Sequence, residues 1–208
     1  MFFLFKKSES DKLAYHTGEA ADRIGDSTGT AQNHCGKGMK IAVIGYSGSG
    51  KSTLAHKLGE LYGLPVLHLD SVHFLPDWQE RSPEDEQRIV NDFLAGHDAW
   101  VIDGNYSKLS FERRMKEADM IIMMLFRRLD CLWRVSKRFR RYQNTTRPDM
   151  AEGCSEKLDR EFVAWILWEG RKKTDRKRFD DLKKKYPEKV VVLKNQRQLD
   201  EFQGNLKE

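Results

Sequence analysis

The stretch Met39-Lys-Ile-Ala-Val-Ile-Gly-Tyr-Ser-Gly-Ser-Gly-Lys-Ser-Thr-Leu-Ala-His-Lys-Leu58 decides how the rest of the chain is read. Ile41 to Ile44 is a short apolar run, the length of a buried strand. Gly45, Gly48 and Gly50 then punctuate a turn. From Thr53 onward, Leu54, Ala55, Leu58 and Leu61 recur at helical spacing. Strand, Gly-x-x-x-x-Gly-Lys-Ser and helix stand in the order that a phosphate-binding loop requires.

Each residue type in that loop has a physical task. A phosphate chain needs several donors converging on it with no side chains in between. Gly45, Gly48 and Gly50 allow a tight turn, and with Ser47 and Ser49 they present backbone N–H groups inward. The helix that begins at Lys51-Ser52-Thr53 adds the positive end of its dipole. Lys51 can bridge two phosphates as a mobile point charge, and the Ser52 hydroxyl is placed to ligate Mg²⁺. The competing reading is a glycine-rich turn that matches the pattern without its function. That reading leaves the flanking strand and helix unexplained.

At 208 residues, the chain is long enough for one domain with a substantial core. Charged residues make up 33%, and the mean hydropathy of −0.70 is that of a soluble protein. The net charge of +5 and isoelectric point near 9.0 favour anionic partners: nucleotides, nucleic acid or an anionic surface. The 3 cysteines, Cys35, Cys131 and Cys154, are widely spaced, which argues against a disulfide framework or a zinc site. No apolar run approaches the length of a membrane-spanning helix. A cytoplasmic monomer or homodimer that does not enter the membrane is the simplest expectation.

Residues 1–38 open on a brief apolar run, Met1–Phe5, are polar with several glycines and little periodicity from Ser8 to Gly38, and are expected to form a weakly ordered extension. The folded domain is expected over 39–208. Within it, apolar runs alternate with helical patterns. Strands are expected at Leu64–Leu69, Ala99–Ile102, Asp119–Phe126 and Lys189–Leu193. A helix opens at Ser82-Pro83-Glu84-Asp85. Others cover Phe111–Lys116, the basic run up to Tyr142, a long polar stretch from about Ser155, and Gln198–Leu206. This alternation implies an α/β fold of three layers, with a five-stranded parallel sheet covered on both faces.

Ligands of such sheets bind at the carboxyl ends of the strands. Asp103 ends the third strand after four apolar residues, as a magnesium-positioning carboxylate does; a turn or cap aspartate is the plainer reading. Asp70 ends the second strand, where it would be either an acceptor-orienting base or a structural turn residue. His73 follows in the same loop. Phe74, Leu75, Trp78 and Arg81 lie where an acceptor pocket would form, although packing is the more common fate of aromatics, and Arg81 would either hold an acceptor phosphate or stay exposed at the surface. Trp165 and Trp168 read as core or helix-packing residues.

In the segment Arg127–Arg147, Leu132, Val135, Phe139 and Tyr142 share one helical face, while Arg127, Arg134, Arg138 and Arg141 fall close to the opposite one. An arginine row leading into Asn144-Thr-Thr-Arg-Pro-Asp149 fits a lid that closes over a transferring phosphoryl group. A solvated cationic face and a nucleic-acid surface remain the alternatives.

Gly45–Ser52, Leu67-His-Leu-Asp-Ser-Val-His-Phe74, Trp100-Val-Ile-Asp-Gly-Asn-Tyr-Ser107 and Thr146-Arg-Pro-Asp-Met-Ala-Glu-Gly153 together resemble the bacterial DNA topology modulation protein (FlaR-related) family. That family is similar to adenylate and shikimate kinases. The resemblance covers Met39 to the C-terminus. It implies a nucleoside-monophosphate-kinase-like P-loop fold with an arginine-rich lid, ATP and Mg²⁺ as cofactors, and phosphoryl transfer to a small acceptor. It further implies metal positioning by Ser52 and Asp103, catalytic roles for Lys51, Asp70, Arg127, Arg134 and Arg138, and an adenine flanked by Asn195–Arg197. Where adenylate kinases follow Asp-Gly with Phe-Pro-Arg, this chain has Asn105-Tyr106-Ser107, so the arginine that would contact AMP is missing. The alternative is a nucleotide-dependent DNA-binding or DNA-topology regulator.

Overall fold

Strand β1 (Lys40–Gly45) runs through the middle of the sheet. Its residues alternate between two cores. Ala42 and Ile44 face one, Ile41 and Val43 the other, and all four are fully buried. Burying a valine- or isoleucine-sized side chain contributes about 1.5–3 kcal/mol. The other strands are β2 (Val66–His68), β3 (Trp100–Asp103), β4 (Met120–Met124) and β5 (Val190–Leu193). The computed structural model describes residues 38–142, 150, 154 and 158–206. The expected extension (1–38, all but its last residue) and the lid loop Asn144–Asp149 lie outside the described residues.

The sheet has five strands in the order β2-β3-β1-β4-β5, and every pairing is parallel. On one face pack helices α1 (Lys51–Tyr62), α5 (Arg128–Arg141), α6 (Arg160–Leu167) and α8 (Gln196–Asn205). On the other pack α2 (Leu69–His73), α3 (Pro83–Gly96), α4 (Phe111–Glu117) and α7 (Lys173–Lys185). This is the three-layer α/β architecture expected from the alternation of apolar runs. It brings the turns after β1, β2 and β3 to one rim.

Two elements differ from expectation. Strand β2 stops at His68 rather than at Leu69, so Asp70 lies in the short helix α2, not at a strand end. The cause is register. Val66–His68 pair with Val101–Asp103, and β3 ends at Asp103. Leu69 therefore has no strand to pair with. The Ser71 hydroxyl bonds His68 O at 2.7 Å and turns the chain into the helix.

The expected long late helix is two helices. It breaks at Trp168 (φ −134°, ψ −58°) and passes through one tight turn, Glu169–Arg171, before α7. The Arg171 side chain drives the break. It is buried, and it donates to Ile166 O at 3.0 Å and Phe126 O at 2.9 Å. Trp165 and Trp168 do not pack in the core as expected. They are 46% and 60% exposed, because α6 buries Ile166 instead.

Candidate functional site

The loop between β1 and α1 is held from three sides. Tyr46 N–H bonds Met124 O at 3.1 Å at the end of β4. Gly45 (φ +138°) passes so close to that strand that a Cβ would lie 2.3 Å from Met124 O. At Gly48 (φ +76°), a Cβ would lie 2.6 Å from Val135 Cγ2 on α5. Both positions are closed to other residues by backbone angle and by space. From the third side, Asn105 grips Gly45 twice: its Oδ1 accepts from Gly45 N–H at 2.9 Å, and its Nδ2 donates to Gly45 O at 2.6 Å.

Helix α1 starts after Gly50 with no side-chain cap, which leaves its first N–H groups for an anion. Lys51 Nζ donates to Tyr46 O at 3.1 Å, so the ammonium folds back over the loop. Burial pushes its pKa down, against the opposing pull of Asp70 and Asp103. The Ser49 hydroxyl is fully buried and has no hydrogen-bond partner among the described residues. Thr53 is exposed at the first turn of the helix, and Ser47 is half-buried.

Asp103 ends β3 and is 4% exposed. Ser52 Oγ donates to its Oδ2 at 2.9 Å. His68 Nδ1 lies 2.5 Å from its other oxygen, Oδ1. A hydroxyl and a carboxylate side by side are hard oxygen donors, the kind Mg²⁺ accepts when phosphate and water complete its shell. The residues present therefore fit that ion. The sequence reading missed His68. It was legible as the β2 residue opposite Asp103, once the parallel register was laid out.

The arginine row divides. Arg134 does not stay on the outer face of α5. It stacks over Phe126 at 4.6 Å, and its Nη1 donates to Ser49 O at 3.2 Å. Arg138 is half-buried and close enough to Lys51 to depress its pKa. Arg127 caps α5 and is exposed, as is Arg141. Arg171, which the sequence did not single out, lies flat over the Tyr46 ring at 3.8 Å and donates to Cys131 Sγ at 3.2 Å.

Beside the glycine loop lies a second group of side chains, from the end of β2 to α3. Tyr106 OH donates to Asp70 Oδ1 at 2.8 Å. Burial and the Asp70 charge push the phenol's pKa far above its usual range. The His73 ring lies 5.0 Å from Tyr106 and 4.5 Å from Phe74, and Phe74 lies 5.1 Å from Trp78. His73 Nδ1 sits 2.6 Å from the buried Glu86 carboxylate. Arg81 directs Nε to Val72 O at 2.8 Å. Cys154 donates to Leu75 O at 3.3 Å.

The loop carrying Asp103, Asn105 and Tyr106 is fixed from behind by Arg114. That side chain is fully buried and donates to the carbonyls of Leu109 (2.8 Å), Gly104 (3.3 Å) and Tyr106 (2.9 Å). Burial lowers its pKa to about 10.

No family model and no curated protein matches the chain, so the likeness to the DNA topology modulation family remains one of motifs. Among solved structures, the chain is similar to TT1252 from Thermus thermophilus, with 19% identity, 81% of this chain and 94% of that one covered, and a TM-score of 0.47. A shikimate kinase from Acinetobacter baumannii in complex with shikimate shares 16% identity, with 81% and 91% covered and a TM-score of 0.48. A sugar kinase from Janibacter sp. HTCC2649 shares 16% identity, with 81% and 92% covered and a TM-score of 0.41. At this level of similarity, nothing about substrate carries over to this chain.

Proposed function

We propose that the chain is a small phosphotransferase that moves the γ-phosphoryl group of ATP to a small acceptor. The observation that carries this reading is the Ser52–Asp103 contact at 2.9 Å, set beside a loop whose Lys51 ammonium is already folded over it. A glycine turn that merely matched the pattern would not need a buried carboxylate at its helix start.

The glycine-loop N–H groups and the α1 terminus would hold the β- and γ-phosphates. Lys51 would neutralise charge as it builds on the transferring group, and Arg134 and Arg138 would add to that from α5. Arg127, exposed at the helix start, would need to move to join them. Ser52 and Asp103 would hold Mg²⁺, which would supply positive charge to offset that of the phosphates. His68 would orient the Asp103 carboxylate from its far side. Asp70 lies on the acceptor side, where a carboxylate can take a hydroxyl proton. Asn195–Arg197 at the start of α8 would flank the base. The buried thiols of Cys131 and Cys154 suit a reducing cytoplasm.

The test is ADP release from ATP with Mg²⁺ over a panel of acceptors, together with nucleotide affinity. Expected are micromolar to millimolar ATP binding and acceptor-dependent ADP formation, both lost in Lys51→Ala. DNA affinity that falls log-linearly with salt, with no acceptor-dependent turnover, would favour a nucleotide-switched DNA binder instead.

A further inference from the structure

The acceptor half of the rim carries a chemical signature of its own. Between the end of β2 and α3, the described residues bring together Asp70, Glu80, Glu86, His73, Tyr106, Phe74 and Trp78. Asp70 is joined to Tyr106, and His73 lies 2.6 Å from Glu86 and 3.8 Å from Glu80. Asp103 adds its charge at the edge facing the glycine loop. Of the cations, Arg114 is fully buried behind the β3–α4 loop and committed to three carbonyls. Arg88 pairs with Asp85, and Arg113 with Glu117. Arg81 points Nε at Val72 O. Among the described residues, this half is therefore richer in carboxylates than in guanidinium groups suited to an anion. A chain of rings from Tyr106 through His73 and Phe74 to Trp78 supplies an apolar wall.

Resting on the phosphotransferase reading above, we infer that the acceptor is an uncharged hydroxylated ring compound, of the nucleoside, sugar or cyclitol class, and not a phosphate ester. Among the described residues of this half, a second phosphate would lie against the carboxylates of Asp70, Glu80 and Glu86, which outnumber the Arg81 guanidinium. A hydroxyl, by contrast, donates to Asp70, and the C–H face of a ring stacks on the aromatic wall. The transfer balances simply. The acceptor oxygen forms a bond to the γ-phosphorus, and the bond from that phosphorus to the β,γ-bridging oxygen breaks. ADP leaves, and the hydroxyl proton passes to the Asp70 carboxylate.

The experiment uses the full chain with ATP and Mg²⁺ and matched acceptor pairs: nucleosides against their monophosphates, hexoses and inositol against their phosphates. ADP release is read alongside mass spectrometry of the acceptor. The expected result is that one neutral ring compound gains a phosphoryl group with kcat/KM about a hundredfold above its phosphorylated partner, as placing like charges together would dictate. Asp70→Asn should lower kcat/KM for that acceptor by about a hundredfold and leave ATP affinity within a factor of about three. A phosphate ester preferred over its neutral partner would overturn the inference and leave the kinase reading standing. An Asp70→Asn enzyme as fast as the parent would also overturn it. If every acceptor fails although ATP binds, the phosphotransferase reading itself falls.

Discussion

The two halves of the rim are built in different ways. The nucleotide half is made of backbone. Gly45 and Gly48 are pressed against β4 and α5 with no room for a Cβ, and Asn105 holds Gly45 at both its N–H and its carbonyl. The acceptor half is made of side chains from three elements: Asp70 and His73 on the five-residue helix α2, Glu86 on α3 and Tyr106 on the loop after β3. Backbone sites constrain residue type tightly, so they are legible and common to many proteins. Side-chain sites constrain chemistry, so they vary with the ligand. On the proposed reading, the first half would grip a phosphate chain, and only the second would select what receives the phosphoryl group.

Lys51→Ala should break the nucleotide half most severely. Loss of a donor aimed at developing charge costs about 10²–10³ in rate, and this one also meets the ground-state phosphates. Removing a desolvated ammonium should leave the melting temperature unchanged or slightly raised. Calorimetry beside a rate assay separates those two effects.

Arg114→Met tests what joins the halves. It leaves the Leu109, Gly104 and Tyr106 carbonyls without their donor, and a buried polar group left unsatisfied costs about 1–3 kcal/mol. At this chain length, that is a fall of roughly 2–4 °C in melting temperature per kcal/mol. Both ATP and acceptor KM should rise together.

Asn105→Ala should act on the nucleotide half alone. Two lost hydrogen bonds to Gly45 cost about 1–3 kcal/mol. ATP KM should rise about tenfold, with acceptor KM unchanged. An equal rise in both would erase the distinction between the halves.

Tyr106→Phe should act only on the acceptor half, by a few-fold in acceptor KM. It also has a pH signature. The folded phenol holds its proton more tightly than the unfolded one, so its contribution to stability is complete below about pH 10, the unfolded value, and declines progressively as pH rises above it. Denaturant midpoints from pH 8 to 11 should fall in the parent and flatten in Tyr106→Phe.

The sheet and the glycine loop were legible because their signals are local: four apolar residues, three glycines at fixed offsets, a cap with proline before α3. The unreadable parts depend on contacts between distant segments. β2 ends at His68 because β3 stops opposite it, and no window around Leu64–Leu69 contains that fact. The late helix breaks because Arg171 reaches back to Phe126 O, across 45 positions of sequence. Arg134 was assigned to the outer face by helical period. It turns inward because Phe126 and the Ser49 carbonyl offer a ring and an acceptor to a guanidinium on a long stem. Asp103 could be singled out from its place at a strand end, but its bond to Ser52 and its contact with His68 required the folded register.

The short loop after β3 faces both ways. One end presents Asp103 to Ser52, the other presents Tyr106 to Asp70, and Arg114 pins the whole from beneath. In the proposed phosphotransferase, donor and recipient would thus be spaced by a ruler that exists before either arrives. Residues on α2 and α3 could then be exchanged to suit a new recipient without recalibrating the distance over which the group would travel.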